Sequence, residues 1–497
     1  MISLRKAIPI FYSALLLTGV NLLLRFTGTA FQVFLSSKLG ASGIGLLQLV
    51  LSVGGLSTTM AVAGVRTGAM YLTAEELGKK RPGTVRFVLS GCFLYSIIVS
   101  TVTSFGLSLF APFIAQHWIG NAATVPALRL LALFIPVNCL CSIMVGYFTA
   151  AQRIGALSIV EIVEQLCSMS ITAILLLFWT NHDPIRSCQA VILGSSLGSC
   201  LTLMALMLLR LWEKVPVADP TPIRSRLLQI AVPLAMADNL KSGLNTLENL
   251  MVPKRLALHA ATVEPLSAFG ILCGMVFPVL MFPAAILYAL AELLIPELAR
   301  CNAAESNQRI KYLSRRSLRI AMLYGCLFSG LMILVAEPLC LRLYKSVQAG
   351  YWLKRYAVLI PMLYCDAITD AMTKGLGQQK ACVRYNIITS AMDVTLLFLL
   401  LPKYGMVGYY VSFTITHALN FFLSIRRLLK ITHRKLRPYS ILATLSATGT
   451  AILLCSMIPS TSIACICYPL VLLSLFTLCN ITGLGDLRWL KGLILIK

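Results

Sequence analysis

Charge is what this sequence has least of. Asp, Glu, Lys and Arg make up only 12% of its 497 residues, about half of the ~25% usual in a soluble domain. No polar interval exceeds a loop, which excludes an extramembrane domain of any size. Enzyme signatures are missing too. There is no phosphate-binding loop, no nucleophile elbow in a strand-to-helix setting and no His/Cys spacing suited to a metal. A catalytic reading is therefore left without a site, and transport driven by a nucleotide bound to this chain is excluded. The sixteen cysteines lie mostly inside apolar runs, where they read as small packing residues and not as a disulfide framework.

What remains is apolar. Hydrophobic residues are 58% of the chain and the mean hydropathy is +0.84. Runs long enough to cross a ~30 Å hydrocarbon layer recur along the whole length. They predict an all-α polytopic membrane protein with fourteen spans, at about 8–35, 44–71, 84–114, 125–150, 156–179, 188–211, 226–252, 265–296, 316–336, 351–373, 383–401, 405–425, 439–458 and 463–483. An even count puts both termini on one side. Of the 42 Lys and Arg, 29 then fall in segments on the side of the termini, 10 on the other side and three within spans. That bias predicts cytoplasmic N- and C-termini. It also accounts for the +24 formal charge without nucleic acid as a partner.

A repeat is visible at an offset of about 225 residues. Ile135-Pro136 precedes Gln152-Arg153, as Ile360-Pro361 precedes Gln378-Gln379-Lys380. The most polar, proline-rich join is LWEKVPVADPTPIRSR, Leu211 to Arg226. The division expected is a six-helix lobe over 1–210, a cytoplasmic linker over 211–225, a second six-helix lobe over 226–430, and two further helices with a cytoplasmic tail over 431–497. Paired lobes around a central cavity are a common transporter plan. The prolines of span 8 (Pro278, Pro283, Pro296) and of span 7 (Pro233, Pro253) predict bends.

Three cations fall within spans: Arg25 in span 1, Arg66 in span 2 and Lys241 in span 7. A cation at membrane depth costs roughly 2.5–3.5 kcal/mol on insertion scales, so it faces a wet cavity, a partner or a ligand. Converging cations suit a phosphate or diphosphate. Each could instead pair internally. Asp238 and Lys241, three apart, can share a helix face. Among the acids, Asp366 and Asp370 are four apart on span 10, which suggests a proton or cation site, or one shared proton. Glu161 and Glu164 pose the same question in span 5, where a solvated position near the helix end is expected.

Several stretches resemble a known family. Leu39-Gly40-Ala41-Ser42-Gly43-Ile44-Gly45-Leu46 resembles the LGxxGxG turn of polysaccharide and oligosaccharide flippases, and Ala63-Gly64-Val65 their next feature. The run Gly270-Ile271-Leu272-Cys273-Gly274-Met275, with Pro278, Pro283 and Leu294-Ile295-Pro296, resembles the stage V sporulation protein B family. That family lies within the multidrug/oligosaccharidyl-lipid/polysaccharide exporter superfamily and is related to lipid II flippases. The resemblance implies two lobes around a cationic cavity. It implies alternating-access translocation of an undecaprenyl-diphosphate-linked saccharide across the bacterial plasma membrane, with Arg25, Arg66 and Lys241 on the diphosphate. It further implies a sodium ion or proton as the coupling ion, with Asp238, Asn386 and Asp393 as candidates beside Asp366 and Asp370. No other cofactor or metal is expected, and a monomer is. Two alternatives stand: a cation-coupled drug antiporter of the same superfamily, and a membrane assembly factor without transport. Span 1 carries Arg25 and no acid, which favours an anionic substrate over the antiporter.

Overall fold

Two glycines set where the longest helices break. In the computed structural model, helix α1 runs Ile2–Val62, or 61 residues. At 1.5 Å per residue that is about 90 Å, some three times the hydrocarbon thickness. It is two rods joined at Gly40, whose φ of 69° is left-handed. Helix α14, Gln379–Ile431, is likewise two rods joined at Gly405 (φ 57°).

Between and beyond them lie α2 (Val65–Gly78), α3 (Val85–Phe113), α4 (Val125–Ala150), α5 (Ile154–Phe178), α6 (Pro184–Leu211) and α7 (Arg224–Leu256). Next come α8 (Pro265–Gly270), α9 (Phe277–Met281), α10 (Ala284–Ala303), α11 (Asn307–Tyr344), α12 (Val347–Ala357) and α13 (Ile360–Gly375). Helices α15 (Pro438–Ser456) and α16 (Thr461–Leu478) close the order. The structure describes residues 2–62, 64–79, 81–180, 183–211, 224–259, 264–432 and 438–479, and among them no strand occurs. Most of the linker expected over 211–225, the basic residues 433–437, the tail 480–497 and Ala63 of the family-like stretch lie outside the described residues.

The all-α, multi-pass expectation holds. The span count does not carry over directly. Among the described residues, eight helices are long and apolar enough to cross a membrane, or up to nine with one bent pair counted as a span. The difference from fourteen has physical causes. Rods joined at a glycine count once, and α7 carries Asp238, Lys241 and Glu248 within its length.

The chain divides into two compact units, Met1–Gly274 with Ser390–Tyr409, and Met275–Thr389 with Tyr410–Lys497. In the first, Val65, Ala69 and Leu72 of α2 are buried with Ile143 and Phe148 of α4 and with Leu227 and Ala231 of α7. Glycine permits the closest approaches. A Cβ on Gly64 would lie 2.5 Å from the Ala231 carbonyl oxygen. One on Gly270 would overlap the Ala41 carbonyl oxygen, and one on Gly45 the Leu266 carbonyl oxygen. The Gly-rich stretches that follow span 1 and open span 8 therefore meet backbone to backbone. Ser36 Oγ adds a hydrogen bond to the Gly274 carbonyl at 2.6 Å.

In the second unit the chain bends by 64° between Met281 and Ala284, where Pro283 sits. Carbonyls around the bend are taken by tyrosines: Tyr324 donates to Pro283 O at 2.7 Å and Tyr364 to Leu280 O at 3.1 Å. Helices α15 and α16 dock on α11. Tyr468 packs over Gly330 and donates to Cys326 O at 2.8 Å, within an apolar cluster that includes Ala447, Ala451, Leu472 and Phe476.

Candidate functional site

All three expected cations belong to the first unit, and all three are exposed. Arg25 lies on the first rod of α1. Thr29 Oγ1 donates to its carbonyl at 2.9 Å. Directly beside it, Gln165 of α5 donates to Leu24 O and to Thr27 Oγ1, each at 2.8 Å. The Gln165 amide thus fixes α1 against α5 beside Arg25. The sequence reading missed Gln165, although it directly follows the Glu161/Glu164 pair.

Arg66 opens α2 two residues after the left-handed Gly64 (φ 72°). Its backbone is gripped from α4, since a Cβ on Gly146 would lie 2.6 Å from Arg66 O. Glu161 and Glu164 of α5 and Cys141 of α4 lie within electrostatic range of it. These groups therefore share one neighbourhood at the meeting of three helices. Glu164 also accepts from Ser199 of α6 at 3.4 Å. The two glutamates, expected in solvent, are half-buried near Arg66. Among the described residues no carboxylate lies within ion-pair distance of Arg66.

Lys241 and Asp238 are both exposed on α7, and among the described residues they form no ion pair with each other. With Asn245 they make an exposed polar face (positions i, i+3, i+7), while Met236, Leu240 and Leu247 are exposed on another side. A charged exposed face on a membrane helix lines water, and an apolar one faces lipid.

The same helix carries an acid pair. Glu248 of α7 and the buried Asp393 of α14 are within hydrogen-bonding reach of each other. Two carboxyl groups joined by a hydrogen bond hold one proton between them, or else need a cation. Asn249 and Thr246 anchor that part of α7 to Ser52 of α1, at 2.9 and 3.1 Å. Asp393 was a candidate from sequence. Its partner Glu248 could not be found by spacing, because about 145 residues separate them.

In the second unit, Asp366 and Asp370 have separate partners. Asp370 pairs with Lys374 at 2.6 Å. Asp366 accepts from Asn420 Nδ2 of α14 at 3.0 Å. Among the described residues, Asp366 Oδ1 and Asn420 Oδ1 are buried without a hydrogen-bond partner. Two orphaned acceptor oxygens suit a proton or a hard cation. Asn386 is half-buried, two helical turns before Asp393 on α14. Among the described residues, no group of three or more His, Cys, Asp or Glu is placed to hold a metal.

With this geometry in place, comparison with known proteins assigns the family. Residues 39–347, more than half the chain, match the model of the family described as polysaccharide biosynthesis protein. The chain belongs to that polysaccharide biosynthesis family. A curated relative is stage V sporulation protein B of Bacillus subtilis (strain 168), 20% identical over 406 residues, covering 79% of this chain and 78% of the relative. Among solved structures, the lipid II flippase MurJ in an inward closed conformation superposes with a TM-score of 0.64 at 12% identity, over 96% of this chain and 98% of that one. An inward-facing multidrug resistance MATE family transporter of the MOP superfamily gives 0.65 at 11% identity, over 84% and 100%. At these identities the likeness is one of fold. The fold of this polysaccharide biosynthesis family member is thus that of multi-pass membrane flippases and transporters.

Proposed function

We infer that this chain is a flippase that moves an undecaprenyl-diphosphate-linked saccharide, such as a peptidoglycan precursor or a polysaccharide unit, across the bacterial plasma membrane. The observation that carries the reading is the set of three exposed cations, Arg25, Arg66 and Lys241, on membrane helices of one unit. In a membrane an exposed cation needs water or an anion, and the guanidinium fork suits phosphate oxygens. Membership of a polysaccharide biosynthesis family supports a saccharide cargo, and the likeness in fold to a lipid II flippase supports a lipid-linked one. Diphosphate held at the cations would leave the saccharide in the wet space and the polyprenyl chain in lipid. The step is translocation and breaks no bond. The charge bias of the loops supports cytoplasmic termini.

Coupling to a sodium ion or proton has its best support at two places: the Glu248–Asp393 carboxyl pair, and the orphaned oxygens of Asp366 and Asn420. The antiporter alternative has less to stand on, because the described part of α1 presents a cation and no acid to its surroundings.

The test is native mass spectrometry of the purified protein with undecaprenyl-diphosphate-linked saccharides, beside Arg25→Ala. Binding by the parent and loss of at least tenfold in the variant is the expected result. Equal binding by both would move the site away from α1, and no binding by either would remove the flippase reading.

A further inference from the structure

One turn and one helix end of the second unit are tied together in a way the transport reading does not use. Arg427, near the end of α14, donates through Nε to Gln378 Oε1 at 3.1 Å and again through Nη2 to the same oxygen. Gln378 lies in the turn between α13 and α14. The bond therefore joins the beginning of α14, with Lys380 and Arg384, to its end, with Arg426 and Lys430. All four of these cations are exposed, and among the described residues none has a carboxylate partner. The nearby Lys374 differs, being held by Asp370.

Each half of this basic face has an apolar neighbour one turn further along its helix. Ile388 follows Arg384 by four residues and is 49% exposed; Phe422 precedes Arg426 by four and is 56% exposed. Residues four apart share a helix face, about 6 Å apart along the axis. Both helix ends thus present a cation and, one turn inward, an exposed apolar side chain. That order matches a phospholipid at the membrane border, with the phosphate outside and the acyl chain inside. A soluble acidic protein would use the cations and have no use for Ile388 and Phe422.

We propose that the joined ends of α14, Lys380 and Arg384 with Arg426 and Lys430, form a docking surface for an anionic phospholipid headgroup, whose acyl chains run along Ile388 and Phe422. The proposal stands on residues outside the cation set assigned to the cargo, so it survives or falls apart from the flippase reading.

The experiment uses the full chain, delipidated in detergent and titrated with phosphatidylglycerol or phosphatidylcholine under native mass spectrometry. Phosphatidylglycerol is expected to be retained at least fivefold better. The quadruple variant K380Q/R384Q/R426Q/K430Q should lose that preference, while K380R/R384K/R426K/K430R, which keeps the charge, should retain it. If the quadruple Gln variant does not fold, R426Q and R384Q singly should each lower retention about twofold. Equal retention of the two lipids overturns the proposal, as does a preference that none of the Gln variants reduces. Displacement of the bound phosphatidylglycerol by stoichiometric undecaprenyl diphosphate would also overturn it, because the face would then belong to the cargo.

Discussion

Arg226, in the first turn of α7, donates to Glu76 near the end of α2 at 3.2 Å, and Glu76 is only 4% exposed. Glu75 receives the other arm of the guanidinium, and Thr84 Oγ1 donates to the second Glu76 oxygen at 2.9 Å. The start of α7 is thereby strapped to α2, directly below the close approach of Gly64 to Ala231. Removing one partner of a buried pair leaves the other charge uncompensated, an effect reduced here because Arg226 is 37% exposed. Arg226→Ala should therefore cost about 1–3 kcal/mol. Arg226→Lys should cost less, since one hydrogen bond and the charge remain. Melting temperatures in detergent check both, and an alanine variant as stable as the parent would show that the strap contributes nothing.

Backbone contact between the two glycine-rich stretches gives a sharper stability prediction. A methyl group on Gly270 meets the carbonyl oxygen of Ala41, which has no rotamer to yield. The helices must separate, and overpacking of this kind costs typically 1–3 kcal/mol and sometimes more. Gly270→Ala is expected to lower the melting temperature or the monodisperse yield markedly. Gly91→Ala and Gly106→Ala, at positions where a Cβ meets none of the described residues within 4 Å, should be neutral or slightly stabilising, because alanine is the better helix former.

Arg66 leads to a prediction about affinity. Glu161 and Glu164 share its neighbourhood and compete with any anionic cargo for its charge. On the proposed diphosphate role, the Glu161→Gln/Glu164→Gln variant should bind undecaprenyl diphosphate severalfold more tightly than the parent, and Arg66→Ala should bind it more weakly. Titration by native mass spectrometry separates these outcomes. Unchanged affinity in the glutamine variant would mean that Arg66 does not serve the anion.

The sequence made some of this legible, and chain topology hid the rest. Apolar length marked the helices, because burial in lipid demands it. It did not mark where rods join, since Gly40 and Gly405 let two rods follow one another with hardly a pause in helical hydrogen bonding. Arg25, Arg66 and Lys241 stood out as charges in apolar runs, and the structure leaves each exposed. Partners were a different matter. Spacing along one helix suggested Asp238 with Lys241 and Asp366 with Asp370. Asp370 does find Lys374 on its own helix, but other neighbours come from elsewhere: Asn420 for Asp366, Glu248 for Asp393, and Gln165 for the α1 backbone beside Arg25. Helical periodicity reports which side chains share a face, and only the packing of faces reports what they meet.

Glu248 and Asp393 carry the last prediction, which rests on the proposed ion coupling. Two carboxyl groups within hydrogen-bonding reach carry a single negative charge when they hold one proton between them. Entry of a sodium ion would let that proton leave, so a sodium ion and a proton are alternatives at this place. Glu248→Gln leaves one carboxylate with a neutral amide and removes that exchange. Transport by the variant in proteoliposomes should no longer respond to an imposed sodium or proton gradient, while binding of undecaprenyl diphosphate at the cations persists within about twofold. Asp366→Asn, which alters the acceptor pair formed with Asn420, serves as the comparison. If it abolishes the gradient response and Glu248→Gln does not, coupling belongs to the second unit and the Glu248–Asp393 pair is a packing feature.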